Sequence, residues 1–263
     1  MDITIINKNN PNTVPTNDRS FQYGDGFFTT IKVVDGEAQL LEEHLARLEQ
    51  CSSRLFFDNI NLSEIESKIK QVAQTQALAV VKVVVSRGQG GRGYQIPEPQ
   101  LPQVYISCLP FPENYLTIKT TGIELDTLET PLAINPLTAG LKTLNRLEQV
   151  LAKQELKQKG LNEGLLLNCN GEVIETTVAN LLLLKNGELF SPCLKNSGIY
   201  GVYLAHLAKQ LTITFKTLTL DDCYTADNVF CCNSLMGIVP ITRIDNTDYD
   251  KHAALTYLSE IAL

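Results

Sequence analysis

The chain has few residues suited to metal or nucleophile chemistry. Its 263 residues include only three histidines, His44, His206 and His252, and none stands at zinc-ligand spacing from any of the seven cysteines. No metal site is expected. The cysteines are odd in number and scattered, Cys231 and Cys232 are adjacent, and no CxxC pair opens a helix, so they read as small buried hydrophobes with reduced thiols. No serine stands in a nucleophile-elbow pattern with a histidine partner. A basic surplus is also missing: 22 lysines and arginines face 29 acids, for a net charge of −7, which argues against a nucleic-acid partner. Apolar runs are too short to span a membrane, and there is no repeat, low-complexity tract or block of like charges. The start, Met1 to Lys8, does not resemble a secretory leader, and with reduced thiols this gives the expectation of a cytoplasmic protein.

What is present is an ordinary globular composition, 44% hydrophobic, in a chain long enough for one large or two modest cores. Phe27 to Val34, Asp35-Gly36 and Glu37 to Leu40 read as a hairpin with a tight turn. Leu41, Leu45, Leu48 and Leu55 then form one helical stripe, and Ser63 with Glu66 suggests the opening of a second helix carrying Ile65, Ile69 and Val72. Ala79 to Ser86 and Val104 to Leu109 read as buried strands. Glycine and proline crowd Gly88 to Pro102, and Pro110-Phe111-Pro112 closes the next strand, so a boundary is expected at 112, giving domains 1–112 and 113–263. In the second, Asn170-Gly171 and Asn186-Gly187 signal hairpins, and helices are expected over Val202 to Gln210 and His252 to Ile261. The class predicted is α+β, with two domains and a cleft between them.

Two runs carry the chemistry. Gly140-Leu141-Lys142-Thr143-Leu144-Asn145-Arg146-Leu147-Glu148 places a lysine just before a helix that Asn145 and Glu148 are expected to cap, with Leu147, Val150, Leu151 and Leu156 at helical spacing. An amine among Leu141 and Leu144 is open to desolvation, which lowers a lysine pKa. Downstream, Glu175-Thr176-Thr177-Val178-Ala179-Asn180 supplies an acid. The pair suits pyridoxal phosphate, with Lys142 forming the Schiff base and Glu175 keeping the pyridine nitrogen protonated. Taken singly, each is as ordinary as a solvated lysine or an acid beside a turn.

Six ordered runs resemble the fold type IV pyridoxal phosphate enzymes, the D-amino acid aminotransferase-like group, and within it the 4-amino-4-deoxychorismate lyases. They are Gln22 to Thr30, Glu43 to Leu48, Lys82 to Tyr94, the two runs above, and Cys232-Asn233-Ser234-Leu235-Met236. The resemblance covers nearly the whole chain. It implies a cofactor in the interdomain cleft, a second domain carrying the Schiff-base lysine, and a homodimer. It makes Arg47 the phosphate anchor, with backbone amides of Val202, Tyr203, Ser234 and Leu235 completing the cradle. Arg92 is implied as the holder of a substrate carboxylate, with Arg87 and Tyr94 as further candidates, on a glycine-rich loop that lacks the lysine and hydroxyl of a nucleotide P-loop.

Thr29, a further candidate for substrate binding, stands where aminotransferases of this fold commonly carry glutamate, and either Thr30 or Lys142 is implied as the group that protonates a departing enolpyruvate oxygen. Leu147 and Leu204 also depart from relatives, which carry tyrosine and often arginine there. The implied reaction is elimination of pyruvate from 4-amino-4-deoxychorismate to give 4-aminobenzoate, a step towards folate. A D-amino acid or branched-chain aminotransferase is the alternative, since it needs the same Lys142, Glu175 and Arg47. A non-catalytic relative that keeps the fold is argued against by the intact lysine and glutamate. His44 and His206 are expected to be packing residues.

Overall fold

Alternation along Phe27, Thr29, Ile31 and Val33 buries one side of a strand, and the strand paired with it answers with Ala79, Val81, Val83 and Val85. In the computed structural model, which describes residues 3–5 as backbone and 13–261 in full, these strands centre a five-stranded sheet. Its elements are β1 (Ile3–Ile5), β2 (Gly26–Val34), β3 (Glu37–Ala38), β4 (Leu78–Ser86) and β5 (Gln103–Pro110), in the antiparallel order β1-β5-β4-β2-β3. Helix α1 (Arg19–Tyr23) precedes β2, and α2 (Leu41–Arg54) and α3 (Leu62–Ala73) lie between β3 and β4. Leu48, Cys51, Ile65 and Ile69 from the helices pack against Ile31, Val81, Val83 and Ile106 of the sheet. A fully buried aliphatic side chain there contributes roughly 1.5–3 kcal/mol.

The hairpin turn is as expected, with Asp35 at φ 48° and Gly36 at φ 82°, the left-handed pair that a two-residue turn requires. The opening of α3 is not. Asn61 caps it by accepting from Glu64 N at 3.1 Å, while Glu66 pairs with Lys70 one turn on.

The remaining elements are α4 (Asn114–Thr121), β6 (Ile123–Thr127), α5 (Leu147–Lys159), β7 (Gly164–Leu167), β8 (Val173–Thr176), β9 (Asn180–Lys185), β10 (Glu188–Pro192), α6 (Val202–Gln210), β11 (Ile213–Lys216), α7 (Leu220–Tyr224), β12 (Asn228–Asn233), β13 (Gly237–Ile244), β14 (Thr247–Asp248) and α8 (Lys251–Glu260). Their sheet runs β11-β10-β9-β12-β13-β6-β7-β8, with β14 beside β13. One more pairing, Glu175 opposite Asn180, joins β8 back to β9 and closes six strands into a ring. Alternate residues then divide into two cores. Leu165, Leu181, Leu183, Val229, Cys231 and Val239 share one, while Leu166, Leu182, Leu184, Phe230 and Cys232 share the other with Ala152, Leu156, Leu204, Leu207 and Ala254 of the helices.

Packing divides the described residues into two units: those up to Phe111 with Leu141–Asn145, and Pro112–Gly140 with those from Arg146 onward. The sequence expectation gave Lys142 to the C-terminal domain. Its segment instead packs in the first unit, because Phe28 N donates to Lys142 O at 3.0 Å and Leu144 N donates to Gly26 O at 3.0 Å, an isolated antiparallel bridge that sets Thr143 opposite Phe27 of β2. The expected cap of α5 is also corrected. Asn145 sends Nδ2 to Gly24 O, Glu148 accepts from Ala133 N, and the helix begins at Leu147 with no side-chain cap. Of its expected apolar stripe only Leu156 is buried, beside Ala152, whereas Leu147, Val150 and Leu151 are exposed.

Candidate active site

In the first unit, β2 sorts its side chains by face. Phe27, Thr29, Ile31 and Val33 turn to the helices, and Phe28, Thr30 and Lys32 to the opposite face. Leu141 and Thr143 are buried, and half-buried Lys142 between them places Nζ 4.8 Å from the centre of the Phe28 ring. Lys82, opposite Thr30 across the strands, places its own Nζ 5.1 Å from the same ring. Lys142 and Thr30 thus share a face. Thr29 does not: its Oγ1 lies 2.6 Å from His44 Nδ1 in the core. This removes Thr29 from the substrate-binding candidates, because its hydroxyl is engaged on the buried side of the sheet.

The buried stripe of α2 carries His44, Arg47, Leu48 and Cys51. Burial lowers the Arg47 pKa and raises that of the Cys51 thiol, which also interacts with the Lys142 backbone. Arg47 is therefore a desolvated cation on the helix that packs beneath the Lys142 segment.

The three loop candidates separate. Arg87 is buried and fully engaged: Nε reaches both Asp25 oxygens at 2.8 and 3.0 Å, Nη1 donates to Phe56 O and Gln100 Oε1, Nη2 donates to Leu55 O, and the guanidinium lies 3.9 Å from the centre of the Phe57 ring. It ties the base of the loop to α2 and is withdrawn as a substrate ligand. Arg92 and Tyr94 are exposed, and Tyr94 sets its ring edge-on to Tyr23.

In the second unit, the strand closure does double duty. Glu175 is 4% exposed and accepts from Ile199 N at 2.9 Å, while Asn180 Nδ2 donates to Ile199 O and its Oδ1 accepts from Gly201 N. Both carbonyl and amide of Ile199 are therefore fixed, and with them the start of α6. A Cβ on Gly201 would lie 2.1 Å from Asn180 Oδ1, so this approach requires glycine. No side chain caps α6, leaving Val202 and Tyr203 with their amides in its first turn. Burial lowers the Arg146 pKa, and the Glu175 and Glu148 charges oppose that. Ser234 is half-buried. The Leu235 amide donates to Asn233 Oδ1 at 2.9 Å, as does that of Met236, which corrects its assignment to a phosphate cradle. Leu204 is fully buried in the helix-side core.

Sequence reasoning missed Asp18, Arg19 and Asn180. Asp18 and Arg19 stand before an aromatic and glycine-rich run with no periodicity to mark them, and each is buried by contacts remote in sequence. Asn180 lay inside a quoted run and had only its position at a strand start as a signal.

A family model described as amino-transferase class IV matches residues 26–244. The chain belongs to this family. It is 39% identical over 236 residues to aminodeoxychorismate lyase of Vibrio harveyi, covering 88% of this chain and 87% of that one. The solved 4-amino-4-deoxychorismate lyase of Pseudomonas aeruginosa superposes with a TM-score of 0.91 at 34% identity, covering 98% and 97% of the two chains. The branched-chain amino acid aminotransferase of Escherichia coli shares the fold, with a TM-score of 0.84 at 21% identity over 95% and 88%. The two-domain α+β fold is thus that of fold type IV.

Proposed function

We propose that the chain is a pyridoxal phosphate-dependent lyase that converts 4-amino-4-deoxychorismate to 4-aminobenzoate and pyruvate. The observation that carries this reading is the sheet face shared by Lys142 and Thr30, where Lys32 and Lys82 also stand and the β2, β4 and β5 positions hold no carboxylate. Such a face suits a dianionic substrate and offers a hydroxyl for the leaving oxygen. The likeness to two lyases agrees with it.

The residues present fit the cofactor. Lys142 would hold its aldehyde carbon, Glu175 its ring nitrogen, and buried Arg47 with the amides of Val202, Tyr203 and Ser234 its phosphate. When bound, the group supplies an electron sink conjugated to the substrate amine. Lys142 Nζ takes the proton from the ring carbon that bears nitrogen, and either Thr30 Oγ1 or the protonated Lys142 delivers a proton to the enolpyruvate oxygen. Arg92 and Tyr94 orient the substrate carboxylate. Glu175, buried beside Arg146, keeps a fixed negative charge where a protonated pyridine needs one.

The reading includes a cytoplasmic homodimer; among the described residues, no helix is long and apolar enough to cross a membrane. Light scattering on the purified protein tests the dimer. The deciding assay incubates protein and pyridoxal phosphate with 4-amino-4-deoxychorismate and follows 4-aminobenzoate fluorescence. Equimolar 4-aminobenzoate and pyruvate support the lyase. Absence of product from protein with bound cofactor transfers the assignment to an aminotransferase, which would share Lys142, Glu175 and Arg47.

A further inference from the structure

The loop after β4 turns its carbonyls inward onto one guanidinium. Arg19 is 4% exposed, and its Nη1 reaches Gly90 O, Gly93 O and Gln95 O at 3.4, 3.2 and 3.1 Å while Nη2 reaches Tyr94 O at 3.4 Å. The charge is balanced on its other side, where Nε donates to Asp25 Oδ2 at 2.8 Å. Asp25 in turn takes Arg87 from the base of the same loop. At the entry to the loop, Arg19 N donates to Gly88 O, and Asp18 pairs with Gln89. Buried Asp18 accepts from Ser86 Oγ and Ser20 Oγ, so the anchor is itself anchored.

This arrangement accounts for the glycines. Gly90, Gly91 and Gly93 all have positive φ, and a Cβ on Gly91 would lie 2.4 Å from Gln95 O and 3.1 Å from Arg19 Nη1. With the carbonyls drawn inward, Arg92 and Tyr94 are left exposed, and Tyr94 rests against Tyr23, whose ring centre lies 5.1 Å from the Arg19 guanidinium carbon.

We infer that Arg19 is a positioning residue for substrate: it touches no reacting atom and holds the 88–95 loop in the one conformation that presents Arg92 and Tyr94. This rests on the reading of that loop as substrate-binding. Lysine cannot replace it, because one ammonium has neither the reach nor the planar fork to serve Asp25 and four carbonyls together. A freed loop lowers affinity and leaves the chemical step in place, so the effect falls on KM.

The test compares wild type, Arg19→Lys and Arg92→Gln, each loaded with pyridoxal phosphate. Trypsin cleavage after Arg92, identified by a new N-terminus at Gly93, reports loop order without reference to activity. In Arg19→Lys, cleavage should quicken about tenfold and KM for 4-amino-4-deoxychorismate should rise about tenfold, with kcat within about threefold and cofactor absorbance unchanged. Unchanged cleavage overturns the inference, as does faster cleavage with unchanged KM when Arg92→Gln raises KM. If Arg92→Gln leaves KM unchanged, the substrate reading of the loop is the part that has failed. Should Arg19→Lys not fold, Gly91→Ala opens the clamp from the loop side and leaves the Arg19–Asp25 pair intact. The same two increases are expected there, and their absence overturns the inference.

Discussion

Thr29 Oγ1 and His44 Nδ1 lie 2.6 Å apart, with both residues 1% exposed, and this pair fixes which of two adjacent threonines is available for chemistry. The strand can turn only one of them to the helices, so Thr30 takes the face of Lys142. Thr30→Val should lower kcat for 4-aminobenzoate formation about 100-fold, the low end for loss of a general acid. Thr29→Val should leave kcat within about threefold and reduce stability by about 1 kcal/mol, through the unpaired His44 nitrogen. Matched kinetics and thermal melts of the two variants decide the matter, and the opposite pattern would exchange the roles.

The same pair sets a pH dependence. His44 is pushed down to about 3 from 6.5 by burial first and by the Arg47 charge second, with Glu43 opposing. The folded state therefore holds it neutral, and the proton is taken up on unfolding. This contribution is complete above pH 6.5 and is lost as pH falls towards 3. Between pH 6.5 and 5, before carboxylates titrate, the loss should approach about 2 kcal/mol. Thermal melts across that window should show the slope in wild type and a flatter line in His44→Asn; identical slopes would mean that His44 charges without cost.

Much of this was legible because local rules and tertiary demands agree. Asp35-Gly36 and Asn186-Gly187 lie at turns where both residues have positive φ, and the alternation in Phe27 to Val34 has one covered face. The Lys142 and Glu175 runs were visible as chemistry. What escaped was set by distant partners. Asn145 has the sequence of a helix cap but serves Gly24, over 100 residues away, and Arg87 resembles a loop arginine until Asp25, Leu55, Phe56 and Gln100 are brought around it. Leu235 was assigned by position in a run, whereas the Asn233 side chain claims its amide.

Arg87 and Arg92 should therefore fail in different ways. Arg87→Ala takes one of the two guanidinium groups from Asp25, which keeps Arg19, and leaves Leu55 O without its donor while Phe56 O keeps Gln100 Nε2, a loss of roughly 3 kcal/mol. Arg92 is exposed, and Arg92→Gln should leave the melting temperature unchanged while raising KM about tenfold, as for loss of a charge-assisted bond. Denaturant melts beside initial-rate kinetics separate them. A stable Arg87→Ala with a raised KM would return Arg87 to the substrate.

Lys142 is the simplest case. Lys142→Ala should abolish turnover and the visible absorbance of covalently held cofactor while melting close to wild type, since its backbone bond to Phe28 does not involve the side chain. Turnover at the wild-type rate would end the assignment.

Glu175 requires a subtler substitution, because its carboxylate both accepts from Ile199 N and carries charge. Glu175→Gln keeps an acceptor for Ile199, so the start of α6 should hold and the melting temperature should change little. It removes the negative charge that a protonated pyridine needs, and kcat should fall about 100-fold on the scale of a lost electrostatic stabiliser. Asn180→Ala does the reverse: it leaves the charge and frees Ile199 O and Gly201 N. The α6 amides are then less ordered, and affinity for pyridoxal phosphate should drop about tenfold, with kcat at saturating cofactor nearly preserved. Titration of each apoprotein with cofactor, followed by kinetics at saturation, separates charge from architecture. Glu175→Gln turning over like wild type would make the carboxylate a structural acceptor alone.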